Sequence, residues 1–190
     1  MPIRPWTKVG ELEIVIEDHG RFFAFQRFVD NKGKDINFSL LGGVTKPSIV
    51  LPVTTDNKVI VVRQFRPGAN NILMELPGGN PDEDNELPEN VVARELMEET
   101  GYKAGRIIQL SPEKMFFDPS VIVCEVHGFV ALDCELVKQP KPDEDEEIEV
   151  LTIPLKDWIR IAQNEIGDFK TAAITLKALP YLGIDINSLL

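Results

Sequence analysis

The stretch that most restricts the fold of this chain runs from Pro88 to Gly101, Pro-Glu-Asn-Val-Val-Ala-Arg-Glu-Leu-Met-Glu-Glu-Thr-Gly. Pro88 suits a first helical turn, whose N–H groups lack intrahelical acceptors, and Gly101 suits the left-handed residue that closes a helix. The spacing predicts a helix over 88–100. At about 100° per residue, Glu95, Glu98 and Glu99 share one narrow sector, and Val92, Ala93, Leu96 and Met97 lie opposite. Such a helix needs an apolar layer on one side. Its glutamates repel one another by roughly a few tenths of a kcal/mol per pair, so something must offset them. Hard divalent cations do this through oxygen ligands. Arg94, four residues before Glu98, is placed to pair with it or to reach back to Glu86. An acidic stripe alone is most often a solvated face. Here an apolar strand, a Gly-Gly turn and an Arg-Glu pair accompany it, which favours a site.

Charge sharpens this reading. The 190 residues carry 20 Lys+Arg against 31 Asp+Glu, a net charge of -11. Residues 71–101 hold nine acids and one base, and residues 143–149 hold six acids and no base, so the excess is local. The acidity excludes a general nucleic-acid binder, which needs a basic face for phosphates. It leaves room for a phosphate ligand bridged by metal. With 43% hydrophobic residues, the chain can bury a core, and its length fits one substantial domain with at most a small appendage. Two cysteines, Cys124 and Cys134, are too few for a disulfide framework and read as core thiols in a reducing compartment. No apolar secretory segment precedes Gly10, and no run reaches the roughly 20 apolar residues of a membrane span. A cytoplasmic location without membrane partners is expected.

Along the chain, residues 11–41 read as three short strands (11–17, 21–29 and 35–41), too small for an independent core. Gly42-Gly43 reads as a hinge, giving an N-terminal β unit over 1–44 and a main domain over 45–190. In the main domain, Ser48–Val53 and Lys58–Arg63 flank a turn at 54–57, and 71–76 is a short apolar run. Ile107–Leu110 and a long Val121–Leu132 read as strands. Pro140–Glu149 is an acidic loop, Glu149–Ile153 a strand, Leu155–Asn164 a helix, and Ala172–Leu179 a helix stopped by Pro180. Strands and helices mix without βαβ regularity, so the class expected is α+β.

The motif Leu76-Pro77-Gly78-Gly79, then Glu86, seven residues, and Arg94-Glu95-Leu96-Met97-Glu98-Glu99-Thr100-Gly101-Tyr102 closely resembles the signature of the Nudix hydrolases. One departure is that six residues, rather than five, separate Gly79 from Glu86; held rigidly, that count would put Asn80 at the glycine position. The resemblance covers roughly 45–190 and implies an α/β/α sandwich with a mixed sheet, plus the small N-terminal β unit. It implies hydrolysis of a nucleoside diphosphate linked to another moiety, with Mg²⁺ or Mn²⁺ held by Glu95, Glu98, Glu99 and the Gly78 carbonyl. Glu86 and Arg94 would orient the helix, and Glu98 would take part in catalysis.

The run Val61-Val62-Arg63-Gln64-Phe65-Arg66-Pro67-Gly68, followed by Met74-Glu75-Leu76, resembles the ADP-ribose and nucleotide-sugar pyrophosphatase branch. That branch implies a homodimer built through the N-terminal unit; Arg63, Arg66 and Glu75 are the candidate substrate-binding residues, with Arg66 at the substrate phosphates or at a dimer contact. It also implies a general base or extra metal ligand in the second acidic loop, Glu146 first and Glu144 next. The branch's proline sixteen residues after the final glycine is Phe117 here, with Pro119 two residues later, which leaves the sugar open. GDP-mannose, a dinucleoside polyphosphate or another nucleotide is the alternative substrate. A non-catalytic nucleotide-sugar sensor on the same fold is the alternative of another class, disfavoured by the intact carboxylate set. His19 and His127 lack ligand spacing, the calcium-loop pattern is incomplete, and no P-loop Lys-Ser/Thr follows the glycines.

Overall fold

The computed structural model describes residues 4–43, 46–83, 85–110, 115–141 and 147–185. In chain order the strands are β1 (Thr7–Asp18), β2 (Arg21–Val29), β3 (Asp35–Gly43), β4 (Ser48–Thr54), β5 (Lys58–Arg66), β6 (Asn71–Glu75), β7 (Gly78–Gly79), β8 (Tyr102–Lys103), β9 (Arg106–Gln109), β10 (Met115–Phe116), β11 (Ile122–Val123), β12 (Glu125–Leu136) and β13 (Glu149–Pro154). The helices are α1 (Pro88–Thr100), α2 (Leu155–Asn164) and α3 (Phe169–Ala178), the last running into a 3-10 turn at Leu179–Leu182. Two compact units result: Met1–Lys46 with Phe116–Glu125, and Pro47–Met115 with Val126–Leu190.

The first unit is a sheet in the order β1-β2-β3-β11. Strands β2 and β3 pair without a break from Arg21↔Gly43 to Val29↔Asp35, whereas β1 bulges twice against β2. One face gathers rings, with Phe38 between Trp6 at 6.0 Å and Phe28 at 5.7 Å. The hinge expected at Gly42-Gly43 is instead strand. Gly42 lies opposite Phe22, and its missing side chain makes room for the Phe22 ring. The strand expected over Val121–Leu132 is also divided. Ile122 and Val123 pair in parallel with Leu41 and Gly42 of β3, and β12 begins anew at Glu125. The apolar run was continuous in sequence, but it serves two sheets.

The second unit centres on β4 and β5. Ser48–Val53 is buried throughout, and Val59, Ile60, Val61 and Val62 are all inaccessible, as expected of central strands covered on both faces. β12 lies parallel to β4, and β13 and β6 lie antiparallel to β5, so the sheet is mixed. Pro52 has no N–H to give to a neighbour. Beside it the β12 register slips between Ala131 and Cys134, with Asp133 at φ 54°. Val50, Phe129 and Ala131 face Val92 and Leu96 of α1. On the other side Trp158 of α2 and Ile174 of α3 are buried, and the Trp158 indole donates to Thr175 at 3.1 Å. These layers make the α/β/α sandwich. Among the described residues, no helix is long and apolar enough to cross a membrane.

The predicted limits of α1 and α2 hold to the residue. Helix α3 starts earlier than the expected Ala172, because the Asp168 carboxylate accepts the Thr171 N–H at 2.9 Å and caps a helix beginning at Phe169.

Candidate active site

The glycine turn, the α1 carboxylates, Arg94 and the Arg66–Glu75 pair all lie in the second unit. Strand β6 delivers Leu76 and Pro77 to the short β7, which pairs with the start of β4 as Ser48↔Gly79 and Ile49↔Gly78. Gly78 has φ 155°, and a Cβ there would strike the Ser48 backbone, so only glycine lets the chain pass this close. The approach is fixed from two sides. The Val50 N–H donates to the Pro77 carbonyl at 3.0 Å, and the Leu76 N–H donates to Thr171 Oγ1 at 3.2 Å. The start of α3 thereby braces the turn, a role invisible without the Asp168 cap.

Helix α1 packs against this turn. Its buried residues are Val91, Val92, Leu96, Glu99 and Thr100, whereas Ala93 is exposed and Met97 only half-buried. The buried face is thus rotated from the one predicted by polarity. A methyl group costs little to expose, whereas Glu99 is drawn inward by a partner, the Gly78 N–H, which donates to its Oε2 at 3.0 Å. Glu99 is 2% exposed. A carboxylate so placed requires hydrogen-bonded company.

Glu95 lies over Gly79, where a Cβ would overlap its carboxylate. Arg94 organises the remaining acids. Its guanidinium donates to Glu95 at 2.9 Å, to Glu98 at 3.1 Å, to Glu86 at 3.3 Å and to the Asn80 carbonyl at 2.8 Å. Asp82 stands 3.3 Å away. Both pairings expected of Arg94, with Glu98 and with Glu86, are therefore made. Between Gly79 and Glu86, Arg94 holds the Asn80 carbonyl, and the Asp82 N–H donates to Glu86 at 2.8 Å. Burial opposes the charge on Arg94, but its hydrogen bond to Glu86, the charge of Glu95 and its hydrogen bonds to Glu98 and Glu95 overcome it, and the guanidinium is held firmly ionised. Glu86 in turn lies below its ordinary pKa, first through Arg94 and then through the Asp82 N–H.

On β5, Arg66 directs Nε and Nη2 to one oxygen of Glu75, at 2.8 and 2.5 Å, and Gln64 adds a contact at 3.4 Å. Burial opposes the Arg66 charge, but Glu75, with the fields of Glu99 and Asp168, holds its pKa above the usual arginine value. Glu75 is 3% exposed. It reaches Arg66 rather than solvent, so its place is behind the arginine. Arg63 is separate, forming an exposed ion pair with Glu149 at 2.7 Å. Glu144 and Glu146 lie outside the described residues. Cys134 is buried, and burial pushes its thiol up to about 12; Cys124 is half-buried, and neither forms a disulfide.

Among the described residues, no three acidic, His or Cys side chains converge as a ready-made metal cage. Arg94 instead lies between Glu86, Glu95 and Glu98. The donor set nevertheless fits a hard divalent cation, being carboxylate and carbonyl oxygens grouped on one helix and one turn. The missing side chain of Gly79 leaves the space that the Glu95 carboxylate occupies.

The chain is similar to several known proteins. The chain is 34% identical over 125 residues to the ADP-ribose pyrophosphatase of Bacillus subtilis, covering 65% of this chain and 66% of that one. It is 39% identical over 106 residues to the ADP-sugar pyrophosphatase of Mus musculus, covering 53% and 47%. It is also 32% identical over 136 residues to the GDP-mannose pyrophosphatase of Salmonella typhimurium, covering 67% and 69%. The chain thus spans just under two thirds of the first relative and about half of the second. A crystal structure of an ADP compounds hydrolase shares the fold with a TM-score of 0.81 at 17% identity, over 96% of this chain and 97% of the other. The model of the NUDIX domain matches residues 44–178, a span that contains the glycine turn, the Arg94 cluster and the buried Glu99, and the chain belongs to the Nudix family.

Proposed function

We propose that this chain hydrolyses the pyrophosphate bond of ADP-ribose or a related nucleotide sugar, yielding a nucleoside monophosphate and a sugar phosphate. The observation that carries the reading is the α1 carboxylate set. Glu99 is anchored on the Gly78 N–H, and Glu95 and Glu98 are gathered by Arg94. Nudix hydrolases generally use divalent metal ions, and Mg²⁺ or Mn²⁺ would be held here by Glu95, Glu98, Glu99 and the Gly78 carbonyl. When bound, such a cation neutralises the pyrophosphate and lowers the pKa of the attacking water.

The protein's own groups do the rest. The Gly78 N–H fixes the rotamer of Glu99. Arg94 gathers Glu95 and Glu98 close together through its guanidinium, which faces both carboxylates. Arg66, held by buried Glu75, offers a fixed positive charge for a substrate phosphate, and the Arg63–Glu149 pair flanks the same strand. Glu98, with a 42% exposed side chain, is the member of the set most open to a ligand. Glu146, or after it Glu144, is assigned the base or extra ligand. A homodimer through residues 1–44 accompanies the proposal, supported by the exposed Ile14, Ile16, Phe25 and Leu41 of that unit. Sedimentation at twice the 21.3 kDa chain mass supports the dimer, and a monomer refutes it.

The substrate reading is tested by measuring monophosphate release with Mg²⁺ from ADP-ribose, other ADP-sugars, GDP-mannose and a dinucleoside polyphosphate. Fastest turnover of an ADP-sugar is expected. Preference for GDP-mannose or the polyphosphate would overturn the substrate choice, and no release from any of them would overturn the activity.

A further inference from the structure

Ser48 opens β4, is wholly inaccessible to solvent, and its Oγ has no hydrogen-bond partner. A buried hydroxyl left this way is disfavoured, because it has given up water for nothing. Alanine would fill the same place without that cost. The position of Ser48 is informative. It stands in antiparallel register with Gly79, and residues in register carry their side chains on the same face, with Cβ positions about 5 Å apart. The Cβ position of Gly79 is the one covered by the Glu95 carboxylate. Val50, two residues along β4 and so on the same face as Ser48, packs with Val92 and Leu96 of α1. Register and packing both aim the unpartnered hydroxyl at the side of the turn where Glu95 lies.

We propose that Ser48 is a positioning residue of the cation site, its Oγ–H donating to the Glu95 carboxylate when Glu95 turns from Arg94 to ligate a divalent cation. The inference rests on the cation site proposed above. In the arrangement seen here, Glu95 is held by Arg94 at 2.9 Å. A carboxylate released from that contact needs a second donor to fix its orientation, and the buried face supplies one. Outer hydrogen bonds of this kind commonly alter metal affinity by about 10- to 100-fold.

The experiment is calorimetric titration of the full chain with Mn²⁺ alone, for wild type, Ser48→Ala, Glu95→Gln and the double variant, with metal-free Tm measured for each. Ser48→Ala is expected to weaken Mn²⁺ binding by about tenfold or more while leaving the metal-free Tm unchanged or raised. In the Glu95→Gln background, the same substitution is expected to change the affinity less than about twofold, since the partner's charge is gone. No Mn²⁺ binding by wild type would overturn the cation site itself, and this inference with it. Wild-type binding matched by Ser48→Ala would overturn the role of Ser48 alone. An equal loss in both backgrounds would also overturn it, because a general packing defect acts without regard to Glu95.

Discussion

Gly79→Ala separates the site from the fold. Gly79 is not in the left-handed region, so its backbone accepts alanine without strain. The added Cβ would collide with Oε1 and Cδ of Glu95, the far end of a flexible side chain, and with no backbone atom among its nearest neighbours. Restoring ordinary contact requires the carboxylate to withdraw by about 1 Å. The helix and sheet need not move, so the stability loss should stay below about 1 kcal/mol. A metal-ligating carboxylate displaced that far is expected to reduce kcat/KM by about 10²-fold, or about 2.7 kcal/mol of transition-state stabilisation. The assay is initial AMP release from ADP-ribose at saturating Mg²⁺, beside urea unfolding of the same samples. Gly167→Ala is the control, with nothing within 4 Å of its added Cβ, and should match wild type in both. Gly79→Ala activity within about threefold of wild type would refute the assignment of Glu95. Loss of activity together with several kcal/mol of stability would refute the claim that the damage is local.

Glu86 and Arg66 give two further predictions. Glu86 has a folded-state pKa below its ordinary 4.5, first through Arg94; its stabilising contribution is complete above that ordinary value and drains as pH falls through the depressed one. Glu86→Gln should therefore lower Tm at pH 7, with the gap to wild type closing in more acidic buffer, and a constant gap down to about pH 2 would contradict the ion-pair account. Arg66→Ala would leave the Glu75 carboxylate, 3% exposed, without its cation. Because the Arg66 side chain is 39% exposed, the expected loss in urea unfolding is about 2 kcal/mol rather than the larger cost of breaking a fully buried pair. A neutral result would place Glu75 in solvent instead.

Much of the site was legible in the sequence because its instructions are local. Pro88 and Gly101 bound α1 directly, and the spacing of Glu95, Glu98 and Glu99 follows from helical geometry alone. The pairing of Arg94 with Glu98 follows equally from i, i+4 spacing. What could not be read depends on partners distant in sequence. Glu99 is buried because a glycine N–H twenty-one residues earlier donates to its carboxylate, whereas polarity alone assigns it to the outer face. The contact of Glu75 with Arg66 depends on the pairing of β6 with β5, which the local sequence does not reveal. The Gly42-Gly43 hinge dissolved into β3 because Phe22, on another strand, needs the space. Ile122 and Val123 belong to the first unit's sheet because β3 offers them an edge, which their own apolar character cannot reveal. The start of α3 was the one miss with a local signal, the Asp168-x-x-Thr171 cap.

The central claim is that the α1 carboxylates hold a divalent cation that hydrolysis of a nucleotide pyrophosphate requires. Its most direct test is AMP release from ADP-ribose by chelator-treated wild type and Glu98→Gln across a Mg²⁺ titration. Wild type should be inactive without added cation and recover with Mg²⁺, while Glu98→Gln, folded normally, stays lower by at least about 10² at every concentration. Cation-independent turnover, or Glu98→Gln turnover equal to wild type, would contradict the claim.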